Sequence, residues 1–385
     1  MAHVNTIFGQ LLQLVDRHDF RRIEEKGYLP GRKYRTLGRW EQFVVMMFAQ
    51  ITTRCGLRDI VNQFQFQSSR LYHLGARAVK RSTLADANSN RDAGFFEAVF
   101  HHQYKKCASV APKKRFRFKN KLYSLDASVV DLCLSLFDWA KFRTTKGGIK
   151  LHTLLDHDGY IPAFVQVTEA KTADVTVAKL LQLPSGSIVA MDRAYVDFAW
   201  FRELNENNIS FVTRMKRNIK YQVVQRHKVL KSKGVTSDQT IILTGTKAKD
   251  CPIPLRRVGY RDPETKKHYV YLTNIFRLSS KTIADIYRER WQIELFFKWI
   301  KQNLKVKTFF GTTKTAVLTQ LWIALITMLL LAYYKFLARL GNSLSQILHL
   351  LQLNLFNRRN IWCLFDPGKV RYTSAPQLQL TFNFN

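Results

Sequence analysis

The sequence predicts a mixed α/β core, split by a β-rich insertion and preceded by a helical N-terminal domain. Three observations predict it. Apolar residues recur at three- and four-residue spacing up to about Phe100. Short apolar runs then alternate with helical stretches from Leu122 to Val212, and helical periodicity returns at Lys281 after a basic, β-like stretch.

In order along the chain, Phe43, Val44, Met47, Phe48 and Ile51 exemplify the helical clusters of a compact domain, placed at residues 1–110. Gly56 to Asn90 predicts two or three short helices, broken near Gly75 and restarted with Ser82 as N-cap. That outline fits a helix-turn-helix DNA reader with Arg77, Lys80, Arg81 and Arg91 nearby, and it equally fits a bundle with solvated basic faces. Lys113, Lys114, Arg115, Arg117 and Lys119 follow a single proline as a basic linker suited to phosphates.

Leu122 to Leu125 predicts a short strand ending at Asp126. Leu151 to Leu155 and Ile161 to Val167 predict two more, joined by the turn Asp156-His157-Asp158-Gly159. A helix over Val175 to Leu181, a buried strand over Ile188 to Met191, a helix over Asp197 to Asn207 and a strand opening at Phe211 and Val212 complete a mixed α/β layer. With the later helices, this layer makes a core of residues 120–214 and 281–340. Residues 215–280 form the insertion, with strands at Thr240 to Leu243 and Tyr269 to Thr273 and turns at Pro252, Pro254 and Pro263. Helices are expected from Lys281 to Asn303, across Thr315 to Leu340, and at Ser343 to Leu351, the last within a helical tail of residues 341–385. Asn357 to Asn385 carry no legible chemistry, and no internal repeat is evident.

Lys and Arg number 61 against 28 Asp and Glu, a net charge of +33 spread along the whole chain. Such a surface calls for a polyanion, nucleic acid first and an anionic membrane second. Cys55, Cys107, Cys133, Cys251 and Cys363 are odd in number and far apart, which argues against a zinc site or a disulfide framework. Met1 to Gln10 has neither the basic start nor the apolar core of a signal peptide, so a reducing cytoplasm is expected. Ala316 to Tyr334, interrupted by Thr319, Gln320 and Thr327, borders on the length of about 20 apolar residues that a membrane span needs. It is taken as a buried core helix, and no membrane partner is expected.

The chemistry begins with the helix from Thr282 to Asn303. With Tyr287 at zero and about 100° per residue, Arg290, Glu294 and Lys301 fall on one stripe near roughly 300 to 340°, beside an apolar arc of Ile286, Ile293, Phe297 and Ile300. Arg290 and Glu294 alone could be an ordinary i,i+4 surface pair. Asp126 and Asp192, however, each close a buried apolar strand, and a carboxylate there is costly without a task or a partner. Two aspartates and a glutamate would supply hard oxygen ligands for two Mg²⁺ ions, for which Mn²⁺ could substitute. That is the machinery of in-line phosphoryl transfer.

Tyr287-x2-Arg290-x3-Glu294-x6-Lys301 reproduces the Tyr-x2-Arg-x3-Glu-x6-Lys marker of the insertion sequence 4 family of transposases, which the chain resembles from at least Lys121 to Lys301. The stretches Leu125-Asp126-Ala127-Ser128, Lys150 to Asp156 and Met191 to Tyr195 are similar to that family, and Arg77 to Arg91 resembles the helical leader of one subgroup. The resemblance implies a ribonuclease H-like catalytic core with a β insertion, with metal on Asp126, Asp192 and Glu294. It also implies contacts from Tyr287, Arg290 and Lys301 to phosphates of a transposon end. Members that excise through a DNA hairpin stack a flipped base on a Trp of the insertion. None of the seven Trp lies between Met215 and Leu278, so Tyr260, Tyr269 or Tyr271 would have to substitute, and the hairpin route is in question.

Further DNA contacts are expected from Lys298 and from Arg214, Lys216 and Arg217, the start of a basic series that continues through Lys220, Arg226, Lys228, Lys231 and Lys233. His152, Asp156, His157 and Asp158 are better explained as a hairpin turn than as a metal cluster. Asp131 and Asp138 are spare carboxylates near Asp126. No Gly-rich phosphate loop is present, so no nucleotide cofactor is expected. The expected function is metal-dependent cleavage at transposon ends and strand transfer into target double-stranded DNA by a homodimer, associated with the nucleoid in a prokaryotic cytoplasm. Three alternatives remain: a catalytically silent transposase-derived DNA-binding regulator, a nuclease of the same fold, and a membrane-associated basic protein.

Overall fold

The computed structural model describes residues 5–28, 34, 36–54, 56–114, 116, 118–133, 135–143, 146–229 and 231–365. Cys55, Arg115 and Arg117, and the stretches 1–4 and 366–385 of the termini considered above, lie outside the described residues.

The N-terminal third is helical, as its periodicity predicts: α1 (Ile7–Leu12), α2 (Arg17–Glu25), α3 (Arg39–Ile51), α4 (Leu57–Phe66), α5 (Ser68–Leu71), α6 (Arg81–Asn90) and α7 (Gly94–Val110). Gly75 breaks the series in a left-handed conformation, φ 64°, which glycine adopts without Cβ strain. The restart differs by two residues from expectation. Lys80, not Ser82, is the N-cap of α6, and it makes no side-chain cap bond.

Among the described residues ten strands follow: β1 (Leu122–Leu132), β2 (Lys141–Arg143), β3 (Lys146–Asp156), β4 (Ile161–Glu169), β5 (Ile188–Met191), β6 (Ser210–Arg214), β7 (Tyr221–Arg226), β8 (Val235–Leu243), β9 (Leu255–Arg261) and β10 (His268–Thr273). The short α8 (Asp174–Ala178) precedes β5 and α9 (Phe198–Glu206) precedes β6; α10 (Ser280–Glu289), α11 (Trp291–Asn303), α12 (Lys314–Leu337) and α13 (Leu344–Asn354) close the described chain. All ten strands belong to one sheet. Its order is β2-β3-β1-β5-β6-β10-β9-β8-β7, with β4 also on β3. β1, β3 and β4 pair antiparallel, and β5 and β6 run parallel to β1. The insertion is therefore an extension of the core sheet, joined where β10 pairs antiparallel with β6. It holds four strands, two more than its sequence suggested. β7 is mostly exposed and β9 carries three arginines, so neither shows a clean apolar signal.

Two expectations about the core need correction. β1 does not end at Asp126 but continues to Leu132, because Ser128, Val130 and Leu132 keep the alternation on the same face. The helix expected over 282–303 is interrupted at Arg290, where the Arg290 amide bonds Tyr287 O and the Ile293 amide bonds Arg290 O, both at 3.1 Å, a tightened turn separating α10 from α11.

Burial follows the period-2 rule. On β5, Val189 and Met191 face one side, with Trp200, Phe201 and Leu204 of α9, while Ile188 and Ala190 face the other, with Ile283, Ile286 and Tyr287 of α10. The largest core runs from Ile7 to Leu364 and binds the N-terminal helices, β3, α11 and α13 into one body around α12. α12 is the one described helix with the length and hydropathy to cross a membrane, and 89% of its most apolar stretch is buried inside the protein.

Candidate active site

The site forms where α10 and α11 cross the face of β1 and β5. Register sets two of its acids side by side. Leu125 lies opposite Met191 in the parallel β1–β5 pair, whose strands run about 5 Å apart, so the next residues, Asp126 on β1 and Asp192 just past the end of β5, follow side by side. Both share the parity of Leu122 and Ile188, and therefore the face that α10 covers. Asp131 has the opposite parity and is exposed, and Asp138 is exposed beyond the strand; neither can take the place of Asp126.

Glu294 comes from the first turn of α11. The Arg290 guanidinium links it to β1, donating from Nη1 to Asp126 Oδ2 at 3.0 Å and from Nη2 to Glu294 Oε1 at 2.5 Å. Arg290 Nε is buried and has no partner among the described residues. Burial pushes the Asp126 carboxyl up to about 6; Arg290 and the Ala127 amide oppose the rise, and Asp192 and Glu294 add to it. Burial disfavours the charged Arg290, but Tyr287, Asp126 and Glu294 outweigh it and hold the guanidinium more firmly protonated than usual. Among the described residues, no three His, Cys, Asp or Glu side chains are already gathered as a metal cage. A guanidinium, not an empty space, lies between two of the candidate ligands.

Asp192 caps the turn Arg193–Tyr195, accepting from the Arg193 amide at 2.6 Å. With Arg193, Lys216, Arg217 and Asn218 it lines an open recess of about 510 Å³. Arg214, at the end of β6, lies over the Tyr269 ring with its guanidinium carbon 5.1 Å from the centroid. Of the motif side chains, Tyr287 is buried, its ring 4.9 Å from that of Tyr271 and 5.6 Å from the Arg290 guanidinium. Lys301 donates to Ser128 Oγ and Val129 O, both at 2.7 Å. Lys298 is exposed one turn beyond Glu294, on the same side of α11.

The His152, Asp156, His157 and Asp158 group is spread over a structural network. Asp156 is fully buried and accepts from Tyr104 Oη at 2.9 Å, Lys121 Nζ at 2.8 Å and the Asp158 amide at 2.9 Å. His157 pairs with Ser124 Oγ at 2.7 Å, and Lys114 joins Glu289 and Tyr160, tying the linker to the residue before Arg290. Sequence reasoning missed two exposed groups at the site. Trp291 follows Arg290 directly and is 55% exposed, and Arg193 follows Asp192. The tyrosines considered as stacking platforms fare worse, since Tyr260 and Tyr271 are buried.

The transposase DDE domain matches residues 117–330, and the domain of unknown function DUF4372 matches residues 3–77. A protein of Sinorhizobium fredii named as a transposase is 31% identical over 74% of this chain and 80% of its own. The transposase for insertion sequence element IS5377 of Geobacillus stearothermophilus is 34% identical over 57% of this chain and 58% of its own. That for element IS4SA of a Synechocystis strain is 26% identical over 73% and 79%. A cryo-EM structure of piggyBac transposase in a synaptic complex with hairpin DNA covers 97% of this chain and 81% of its own at 11% identity and a TM-score of 0.44, a likeness too loose to carry an argument. The domain match spans more than half of the chain and takes in Asp126, Asp192 and Glu294 alike, so the chain belongs to the DDE transposase family, the DNA transposases of insertion sequences.

Proposed function

We propose that Asp126, Asp192 and Glu294 are the acidic triad of this transposase and hold two Mg²⁺ ions, with Mn²⁺ able to substitute, for cleavage at transposon ends and strand transfer into target DNA. The observation that carries this reading is the Arg290 bridge: one cation already satisfies Asp126 and Glu294, and Asp192 stands at the end of the adjacent strand. Transposase DDE domains use divalent metals in general. The donor set here is all carboxylate oxygen, which suits hard cations, and the strand order β4-β3-β1-β5-β6 supports a ribonuclease H-like core.

Bound ions would lower the pKa of an attacking water or hydroxyl and stabilise the leaving oxygen. The chain's own residues bind and orient. Arg290, with its Nε unspent, is placed to turn from the carboxylates to a phosphate, where a guanidinium can bond two oxygens at once. Arg193, Lys216 and Arg217 beside Asp192 would hold the backbone on either side of the cut, with Arg214, Lys298 and Trp291 around the rim. Lys301, seated on β1, fixes the angle at which α11 presents Glu294. The chain would act as a homodimer on paired ends, on nucleoid DNA in the bacterial cytoplasm.

Asp126→Ala, Asp192→Ala and Glu294→Ala, made singly, should abolish metal-dependent cutting of an end-containing duplex while sparing its binding. Full activity in any one removes that residue from the triad. Cutting without joining by the unmodified chain indicates a nuclease, and binding without cutting a silent regulator.

A further inference from the structure

Two recesses adjoin the 275–279 loop between β10 and α10. The first, about 400 Å³, is lined by Lys119, Lys121, Ser187 and Arg277 together with neighbouring backbone; the second, about 420 Å³, is lined in part by Lys228, Lys233 and Phe276. The loop carries both Phe276, 46% exposed, and the exposed Arg277. Three nearby charges are already spent: Lys121 on Asp156, Lys281 on Asp285, and Asp238 on Arg256. Lys119, Arg277, Lys228 and Lys233 make no ion pair among the described residues. Ser187, 1% exposed, has an Oγ with no partner among the described residues, beside the Gly186 backbone at φ 79°.

This surface lies apart from the acids. Ser187 precedes β5 and Asp192 follows it, so five residues, about 16 Å of extended chain, separate them. The ten residues of α10 put about 15 Å between the 275–279 loop and Arg290.

We infer that the 275–279 loop and its two flanking recesses form a second DNA-backbone surface, which grips duplex outside the strand being cut. The inference rests on the DNA-acting reading of the chain. Cations without acidic partners, a buried hydroxyl with an unused donor and an exposed aromatic ring on the wall of the second recess match the chemistry of phosphate and sugar. The spacing of about 15 Å corresponds to roughly four to five phosphates along one strand, so the grip falls several nucleotides from the cut.

The test uses the full chain with two independent charge reversals, Lys119→Glu/Arg277→Glu and Lys228→Glu/Lys233→Glu. Affinity for a long end-containing duplex is measured by fluorescence anisotropy across a salt series, and thermal melting reports folding. Since all four side chains are exposed, melting should hold. Each variant should bind about tenfold or more weakly, with a salt dependence shallower by about 0.9 in log-log slope for every phosphate that the variant no longer neutralises. Unchanged affinity and slope in both variants, while the unmodified chain binds, overturn the surface alone. Failure of the unmodified chain to bind DNA at all overturns the functional reading beneath it. If inorganic phosphate raises the melting temperature of the unmodified chain but not of Lys119→Glu/Arg277→Glu, and DNA affinity is equal in the two, the recess takes small anions and the inference fails.

Discussion

Lys301 Nζ donates to Ser128 Oγ at 2.7 Å, a bond from α11 to the residue two places beyond Asp126 on the same face of β1. A second bond to Val129 O fastens the same ammonium to the strand backbone. The motif lysine is thus a tie between the glutamate helix and the aspartate strand. Lys301→Met keeps much of the stem and removes both bonds, so it should cost about 1–3 kcal/mol and depress cleavage more than end binding. Chemical denaturation together with a cleavage assay checks this; equal loss of binding and cleavage would point to a direct DNA contact instead.

Arg290→Ala leaves Asp126 and Glu294 facing each other without their shared cation. The apo protein should lose about 1–3 kcal/mol, discounted for partial exposure. Added Mg²⁺ should then raise the melting temperature of the variant more than that of the unmodified chain, because no guanidinium competes with the ion. Identical Mg²⁺ responses would contradict the placement of the metal between these carboxylates.

The buried pair Arg256–Asp238, at 2.6 Å, anchors β8 and β9 to the start of α10 through Ser280 Oγ and the carbonyls of Ile275 and Leu278. Arg256→Met strands a buried carboxylate and should destabilise the fold by about 3–5 kcal/mol. Burial works to raise the Asp238 carboxyl, but Arg256 and Ser280 prevail and hold it below its ordinary value. Its contribution is therefore present above the unfolded value of about 4 and is lost as the pH falls through the lower folded value. Loss of that acid-limb slope in Asp238→Asn, followed by urea titration, is the check.

His157 is buried, and burial pushes its imidazole down to about 3, with Lys114 adding to the shift. The unfolded chain binds a proton near pH 6.5 that the folded one refuses, so stability falls as the pH drops from about 6.5 towards 3. The loss should reach about 2 kcal/mol at pH 5. His157→Gln should flatten that part of the profile. His152, pushed down to about 4 chiefly by burial, contributes with the same sign and remains in the variant.

Trp291 is 55% exposed, so Trp291→Ala should leave stability within about 0.5 kcal/mol. If its indole meets a base near the cut, binding or cleavage of the end should weaken by about 1–3 kcal/mol. A cleavage rate and an affinity both equal to those of the unmodified chain would remove it from the site.

Much of the fold and the site is legible in the sequence. The two runs that place Asp126 and Asp192 are short, mostly apolar and buried at every position, and each ends on a carboxylate, so they stand out as buried strands. The spacing from Tyr287 to Lys301 exposes a charged stripe. What stays hidden is tertiary. Nothing local in Trp291-Gln292-Ile293 announces the tightened turn that separates α10 from α11 at Arg290. The outer strands β7 and β9 alternate polar and apolar residues too irregularly to stand out. The fusion of the N-terminal helices with α12 depends on packing between residues more than 200 positions apart, such as Phe100 against Trp322, with ring centroids 5.3 Å apart.

The seam between β10 and β6 has a practical corollary. Excising residues 215–280 would not trim an appendage; it would strip β6 of its outer neighbour and turn it into an edge with a row of bare amides and carbonyls. A shortened enzyme built that way would tend to clump through strand-to-strand adhesion before any question of its chemistry arose.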